Sequence, residues 1–415
     1  MRRLLLALTA ALALATPALA QRFADAPLEL ARPADAVAQV EREVRSQKTG
    51  MGRPISAFDH QQIHDLWQAL ADDDALRLRL LNALATLNFG SVDPIDDEDA
   101  FWEDQARLLV DSGAPPLTVL AALKRLVGVD EQMGAALSPR FAAARRLDEA
   151  WFEPNTIVMR AFTRADRLAV KETDRLALVT LRADLLERLG RPAEALALID
   201  KALLRVEVSS QSFADADSAL LNLRAGRAFS LWQLGRFDDA ITEDRAIVKA
   251  ARPGQRYDGW ADNMLVGHLA GRGQAQAALK ALDYFLYRPN GNLGDWVVAR
   301  SVCVNVQLGR LTAARRDLKD LKGQALPART YALLCLDDLD AAAASYRARL
   351  ADADAAPWAI LALSARARPK VVGSWDAVLL DRQAEVAARA DVQAALVAAG
   401  GARRSPLVPS GGENW

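Results

Sequence analysis

The sequence predicts an all-α protein, an α-solenoid of stacked antiparallel helix hairpins. Three observations carry that expectation. Apolar residues recur at i, i+3, i+4 and i+7 through most of the chain, as in Leu178, Leu181, Leu185 and Leu189. A self-similar phrase returns several times after residue 170. Within that phrase a turn residue and a small residue keep a fixed offset of five, while the distance between phrases varies. Such a pattern means one structural unit joined by loops of different length.

The chain opens with "MRRLLLALTAALALATPALA". Arg2 and Arg3, an apolar run from Leu4 to Ala15, and the small-x-small triplet Ala18-Leu19-Ala20 make a secretory signal peptide over 1–20, with Gln21 as the mature start. The apolar run is shorter than the ~20 residues a spanning helix needs. No Cys follows the cleavage site, so a lipid anchor is not expected. Residues 21–55 are polar and broken by Pro27, Pro33, Gly50, Gly52 and Pro54; a partly ordered arm is expected there, with a short helix over 36–47. Residues 56–170 form an N-terminal helical region, decayed repeats or a cap, broken at Asp72–Asp74, Asp93-Pro94, Gly113–Pro116 and Pro154. Residues 351–400 read as C-terminal capping helices and 401–415 as a mobile tail.

Between them, 171–350 hold the repeats. The copies align on Gly190, Gly235, Gly273, Gly309 and, in the last, Asp338. Five residues on stand Ala195, Ala240, Ala278, Ala314 and Ala343. Gly ends a helix in the left-handed conformation without a Cβ penalty. Pro192, or Asp238 and Asp239, then favour the next helix start. The alanine lets the second helix lie close to the first. A lone hairpin cannot bury its apolar stripe on both sides, whereas a stack can.

These phrases resemble the tetratricopeptide repeat family, whose pattern is a large-x2-L-small opening, a Gly turn, Ala, a large residue and often Pro. The best match runs through Ala183, Leu186, Leu189-Gly190, Ala195, Ile199 and Ala202; the second through Ala228, Leu231, Leu234-Gly235-Arg236-Phe237 and Ala240. Pro253 and Pro289 close the second and third copies. Arg182 and Arg227 stand where the family usually has Leu, and Asp244 replaces a large apolar residue. The resemblance covers about residues 174–350 and implies a right-handed superhelix and a protein-binding role; the signal peptide makes it an exported member, and the Ala/Leu/Arg/Asp-rich composition suggests a bacterial one.

Composition narrows the function. A net charge of -1, with 25% charged residues, gives no basic excess for nucleic acid. No later window can span a bilayer, so no stable membrane insertion is expected; for a bacterial chain the signal leads to the periplasm, or to secretion. Cys303 and Cys335 are too few for a disulfide scaffold or a Cys-based zinc site; a bridge between them and two buried thiols are equally open.

No enzyme signature survives inspection, and no cofactor is expected. His60 and His64 keep the spacing of a zincin helix, but Gln61 stands where the general base belongs. Exposed helical histidines are the favoured account; a non-catalytic relative or helper of a zinc-dependent periplasmic protease is the alternative. Asp93 to Asp104 gathers seven carboxylates without the alternation or glycine of a calcium loop. Carboxylates at a helix start explain it better. There is no P-loop and no nucleophile elbow.

A partner is therefore expected on the inner face, which the first helix of each hairpin lines. The first copy offers Thr180, Asp184, Glu187 and Arg188 there. The next offers Asn222, Phe229, Trp232 and Gln233, followed by Trp260 and Asn263, then Trp296. Asn pairs with both peptide C=O and N–H, and Trp supplies contact area at low entropic cost. Core packing is the competing account of the aromatics. The expected function is a periplasmic scaffold binding a protein or extended peptide of the cell envelope; a self-assembling structural protein is a further alternative, and homo-oligomerisation stays open.

Overall fold

The computed structural model describes residues 28, 31–48, 60–86, 99–209, 212–252, 259–286, 294–321, 326–364 and 372–401. The signal peptide, most of the expected arm, Asp93 to Glu98, Pro253, Pro289 and the tail beyond 401 lie outside them, as does the His60 side chain. The described residues form 21 α-helices, one 3-10 turn and no strand, so the architecture is all-α and repeat-like. None of these helices is long and apolar enough to cross a membrane.

The chain divides into two compact units, Met1–Leu126 and Val127–Trp415. The boundary falls within 56–170, the expected N-terminal helical region. The first unit holds α1 (Pro33–Lys48), α2 (His60–Ala69), α3 (Asp74–Ala85), α4 (Asp99–Asp111) and α5 (Pro116–Leu123). Asp73 caps α3 by accepting the Leu76 amide at 3.0 Å.

The second unit opens with α6 (Val129–Leu137), the short α7 (Ala142–Arg145) and α8 (Pro154–Lys171). Five hairpins follow. They are α9 (Leu176–Arg188) with α10 (Pro192–Val208), and α11 (Ala216–Gln233) with α12 (Phe237–Ala251). Then come α13 (Trp260–Gly271) with α14 (Ala275–Leu286), α15 (Asp295–Gln307) with α16 (Leu311–Asp320), and α17 (Leu326–Cys335) with α18 (Leu339–Ala351). Each of the first three second helices also packs on the next first helix, giving a sequential array. The chain ends in α19 (Ala356–Leu363), α20 (Ser374–Ala388) and α21 (Ala390–Ala398). Helix α6 packs on both α8 and α19, and Arg140 pairs with Asp354 at 3.2 Å, so the array's two ends share a neighbour.

One turn joins all five hairpins. Gly190, Gly235, Gly273 and Gly309 have φ between +70° and +82°. The amide one residue later reaches back five residues each time: Arg191 to Leu186, Arg236 to Leu231, Gln274 to Leu269 and Arg310 to Asn305, at 2.8–2.9 Å. This closes the helix end as a Schellman motif, spending carbonyls that would otherwise lack partners. In the last copy the turn residue is Asp337, not Asp338: Asp337 has φ +61°, and the Asp338 amide reaches Leu333 at 3.1 Å. Asp338 instead caps α18, accepting the Ala341 amide. Its equivalent small residue is then Ala342 rather than Ala343; both are fully buried.

Ala195, Ala240, Ala278 and Ala314 are likewise fully buried, as the spacing predicts. Around them two apolar clusters run across hairpin boundaries. One joins Leu176, Ala183 and Leu186 to Ile199 and Leu223; the other joins Ile247 and Val248 to Val266, Leu269, Leu282 and Val304. Burial between hairpins, added to that within each, holds the array together. Cys303 of α15 and Cys335 of α17 form a disulfide with Cα atoms 5.1 Å apart. Both are fully buried, so they cross-link successive first helices rather than face a groove. Closing a loop of 32 residues stabilises by about 3–4 kcal/mol in the chain-entropy account.

A Cβ at Gly190 would meet no atom within 4 Å, so only the backbone objects to a side chain there. Gly190→Val should therefore lower unfolding free energy by about 1–3 kcal/mol, read as a reduced urea midpoint with an unchanged slope.

Candidate functional site

Of the seven expected partner-binding residues, Trp232 and Trp260 pack against the same apolar cluster. Trp232, at the end of α11, stacks on His268 of α13 with ring centroids 4.4 Å apart. It also meets Phe237 edge-on at 4.6 Å. Gln233 and Asn263 are half-buried beside this region. Trp296 of α15 packs against Tyr331 of α17 at 5.8 Å. Trp260 and Phe229 are half-buried on the same helices, and Asn222 is exposed near the middle of α11. Both readings of the aromatics thus have a physical basis: the rings are packed, yet only partly covered.

Beneath them lies an ionisable cluster that no sequence motif announces. His268 Nδ1 stands 2.6 Å from Asp244 Oδ2, and the Asp244 side chain is wholly buried. Arg300 of α15 lies flat on the backbone of Gly267, where a Cβ would come within 3.0 Å of its guanidinium carbon. It donates to the Asn263 carbonyl. Burial holds the Arg300 guanidinium below its ordinary range and pushes the Tyr331 hydroxyl above its own. Asp376, from α20, completes the group. Its carboxylate lies against Gly271, where a Cβ would come within 2.6 Å of it. Burial pushes its carboxyl up to about 6, against the pull of His268, Trp232 and Arg300.

The residues that depart from the repeat pattern explain much of this region. Arg182 pairs with Asp166 at 2.7 Å. Arg227 reaches Asp200 at 2.7 Å and Glu243 at 3.0 Å, and Arg224 also holds Glu243 at 2.6 Å. Each charge in an apolar slot has an opposite charge on a facing helix. Asp244 and His268 follow the same rule, so the departure at Asp244 carried a legible signal. Its partner is the third histidine of the chain, which no motif marks.

The polar residues of the first copy are engaged within the chain. Arg188 pairs with Asp130 of α6 at 2.6 Å and with Asp184 at 2.8 Å. Glu187 is almost fully buried and accepts a hydrogen bond from the Ser230 hydroxyl. Burial, the dominant cause, pushes its carboxyl up to about 8.

In the first unit, His64 is exposed on α2, as expected of an exposed helical histidine. His64 lies 5.5 Å from Trp67 and 6.0 Å from Phe101, ring to ring. The Trp67 indole donates to Asp104 at 2.9 Å, and Arg77 sits over its ring at 4.8 Å. Among the described residues no three His, Cys, Asp or Glu side chains converge on a metal-sized site. Asp99 opens α4, so the acidic stretch runs into a helix start. No family model matches the chain, and no curated protein matches it significantly.

Glu187 supplies a pH test. Its folded value of about 8 lies above the ordinary 4.5, so the folded state holds a proton that the unfolded state releases. The stability this contributes is present below pH 4.5 and is lost as pH rises towards 8. Thermal melts should show the unaltered protein losing stability relative to Glu187→Gln between pH 5 and 8, with the difference level above 8.

Proposed function

We propose that the chain is an exported, non-catalytic tetratricopeptide-type scaffold that binds another protein of the cell envelope on the face of its first helices. The observation that carries this reading is the fivefold turn with its fully buried small residue. Such an array gives a preformed surface rather than a reaction centre. The face is rich in half-covered aromatics, which dominate binding energy at protein interfaces. The Cys303–Cys335 bridge supports an oxidising compartment, in keeping with the signal peptide expected over 1–20. The paired charges in the repeats keep the face specific while costing desolvation.

The test is a crosslinked pull-down of the tagged mature protein from its own cell envelope, beside a folded Trp232→Ala/Trp260→Ala variant. The expected outcome is one partner captured by the unaltered protein and lost by the variant. Equal capture by both moves the interface off the first helices. Capture of nothing by either contradicts the scaffold reading.

A further inference from the structure

The second helices end at an edge that the first-helix face does not use. Among the described residues eight large apolar side chains are exposed, and the two barest are Val208 at 81% and Val170 at 76%. Val208 closes α10, with Leu204 exposed one turn before it, and Val170 stands at the end of α8. Both helices pack on α9. Bonds tie their ends to the start of α9. The Ala214 amide, after α10, donates to the Asp174 carbonyl, after α8, at 2.8 Å. Asp215 accepts the Leu176 and Ala177 amides at 2.6 and 2.9 Å. Three bare aliphatic side chains therefore stand at one edge, and apolar groups gathered in this way mark an interaction surface.

Cations surround them. Arg167 and Lys171 of α8, Lys201 of α10, and Arg245 and Lys249 of α12 are exposed, and none has a carboxylate partner among the described residues. Lys249 follows Gly235 by fourteen residues, as Leu204 follows Gly190, so it takes the place of Leu204 in the next copy. The acids nearby are mostly spent. Asp166, Glu172 and Asp200 pair with Arg182, Arg175 and Arg227 at 2.7, 3.0 and 2.7 Å. Asp174, Glu207 and Asp217 remain, so the free charge of the edge is positive. The field of a helix end favours cations there. It gives no reason for bare valines among them.

The chemistry selects the occupant. Protein interfaces are anchored by aromatics in pockets. Here Phe213 is buried beneath the Arg205 guanidinium, 4.4 Å from its ring centre, and the exposed apolar groups are aliphatic. A bilayer surface takes projecting aliphatic groups without a matching shape, and its anionic phosphates attract Lys and Arg. We infer that this edge docks the protein on an anionic bilayer surface, with Val170, Leu204 and Val208 entering the headgroup layer and the five cations meeting lipid phosphates. The contact is adsorption rather than insertion. It goes beyond the scaffold reading, because it leaves the first-helix face open to a protein partner.

The experiment is co-sedimentation of the full mature chain with vesicles of phosphatidylethanolamine and phosphatidylglycerol, beside vesicles of phosphatidylcholine alone. Val170→Ser/Val208→Ser removes the apolar contact, and Lys201→Glu/Lys249→Glu reverses the charge. Leu311→Ser is the control, an exposed apolar side chain at the start rather than the end of a second helix. All five residues are exposed, and circular dichroism confirms folding. The expected result is binding to the anionic vesicles that weakens with added salt. It falls by about tenfold or more in each paired variant and is unchanged in Leu311→Ser. No binding to anionic vesicles, equal binding to both lipids, or full binding by either paired variant would overturn the inference. An equal loss in Leu311→Ser would overturn it too, as general adhesion. Dimers that Val170→Ser/Val208→Ser abolishes, seen by light scattering, would make a second copy the occupant instead. Loss of a captured envelope protein from that variant would make the occupant a protein, and either result overturns the docking.

Discussion

The left-handed turn between the two helices of each hairpin is the constraint on which the rest depends. It fixes where the first helix stops and, two residues on, where the second begins. Each turn spends two backbone amides on the helix it ends, so the geometry is set by hydrogen bonds and not by loop length. The buried alanine that follows then lets the helices approach until their apolar stripes meet the next hairpin. Loops between hairpins can vary because nothing in this arrangement depends on them.

With the spacing fixed, the first helices form a face whose chemistry is set by what each copy places there. Here the repeats accept charge where apolar residues would serve. Burying a carboxylate or guanidinium costs several kcal/mol unless a partner repays it. Of the three pairs, Asp244 with His268 is the buried one; Arg227 with Glu243 and Arg182 with Asp166 also pair across helices but stay partly exposed, where that cost is small. Such pairs contribute little net stability, but they penalise any other alignment of the hairpins. Asp376 is the exception in origin, since it comes from α20, outside the five hairpins, onto the same cluster.

The hairpins were legible in the sequence because their causes are local. A turn residue, a small residue five later and a helical stripe all lie within thirty residues of one another. The one slip in phase came where the turn residue is not glycine. Two aspartates stand side by side, and the spacing alone aligns the capping one, Asp338, with the glycines, whereas Asp337 makes the turn. The candidate face was legible only in part. Trp232, Asn263 and Trp296 could be phased onto it, but their partners are set by contacts between distant segments. Nothing near Gly373 in the chain shows that it meets Gly271. Cys303 and Cys335 were likewise open until the stacking of α15 on α17 brought them together.

The chain is a stack of hairpins whose buried apolar contacts run from one hairpin to the next. Hydrogen–deuterium exchange of the full chain, resolved by peptide mass spectrometry, tests that coupling most directly. The expected result is slow exchange through α9 to α14 that rises in all of these helices together when Gly190→Val breaks the first turn. Faster exchange confined to α9 and α10 in that variant would contradict it, because each hairpin would then hold itself.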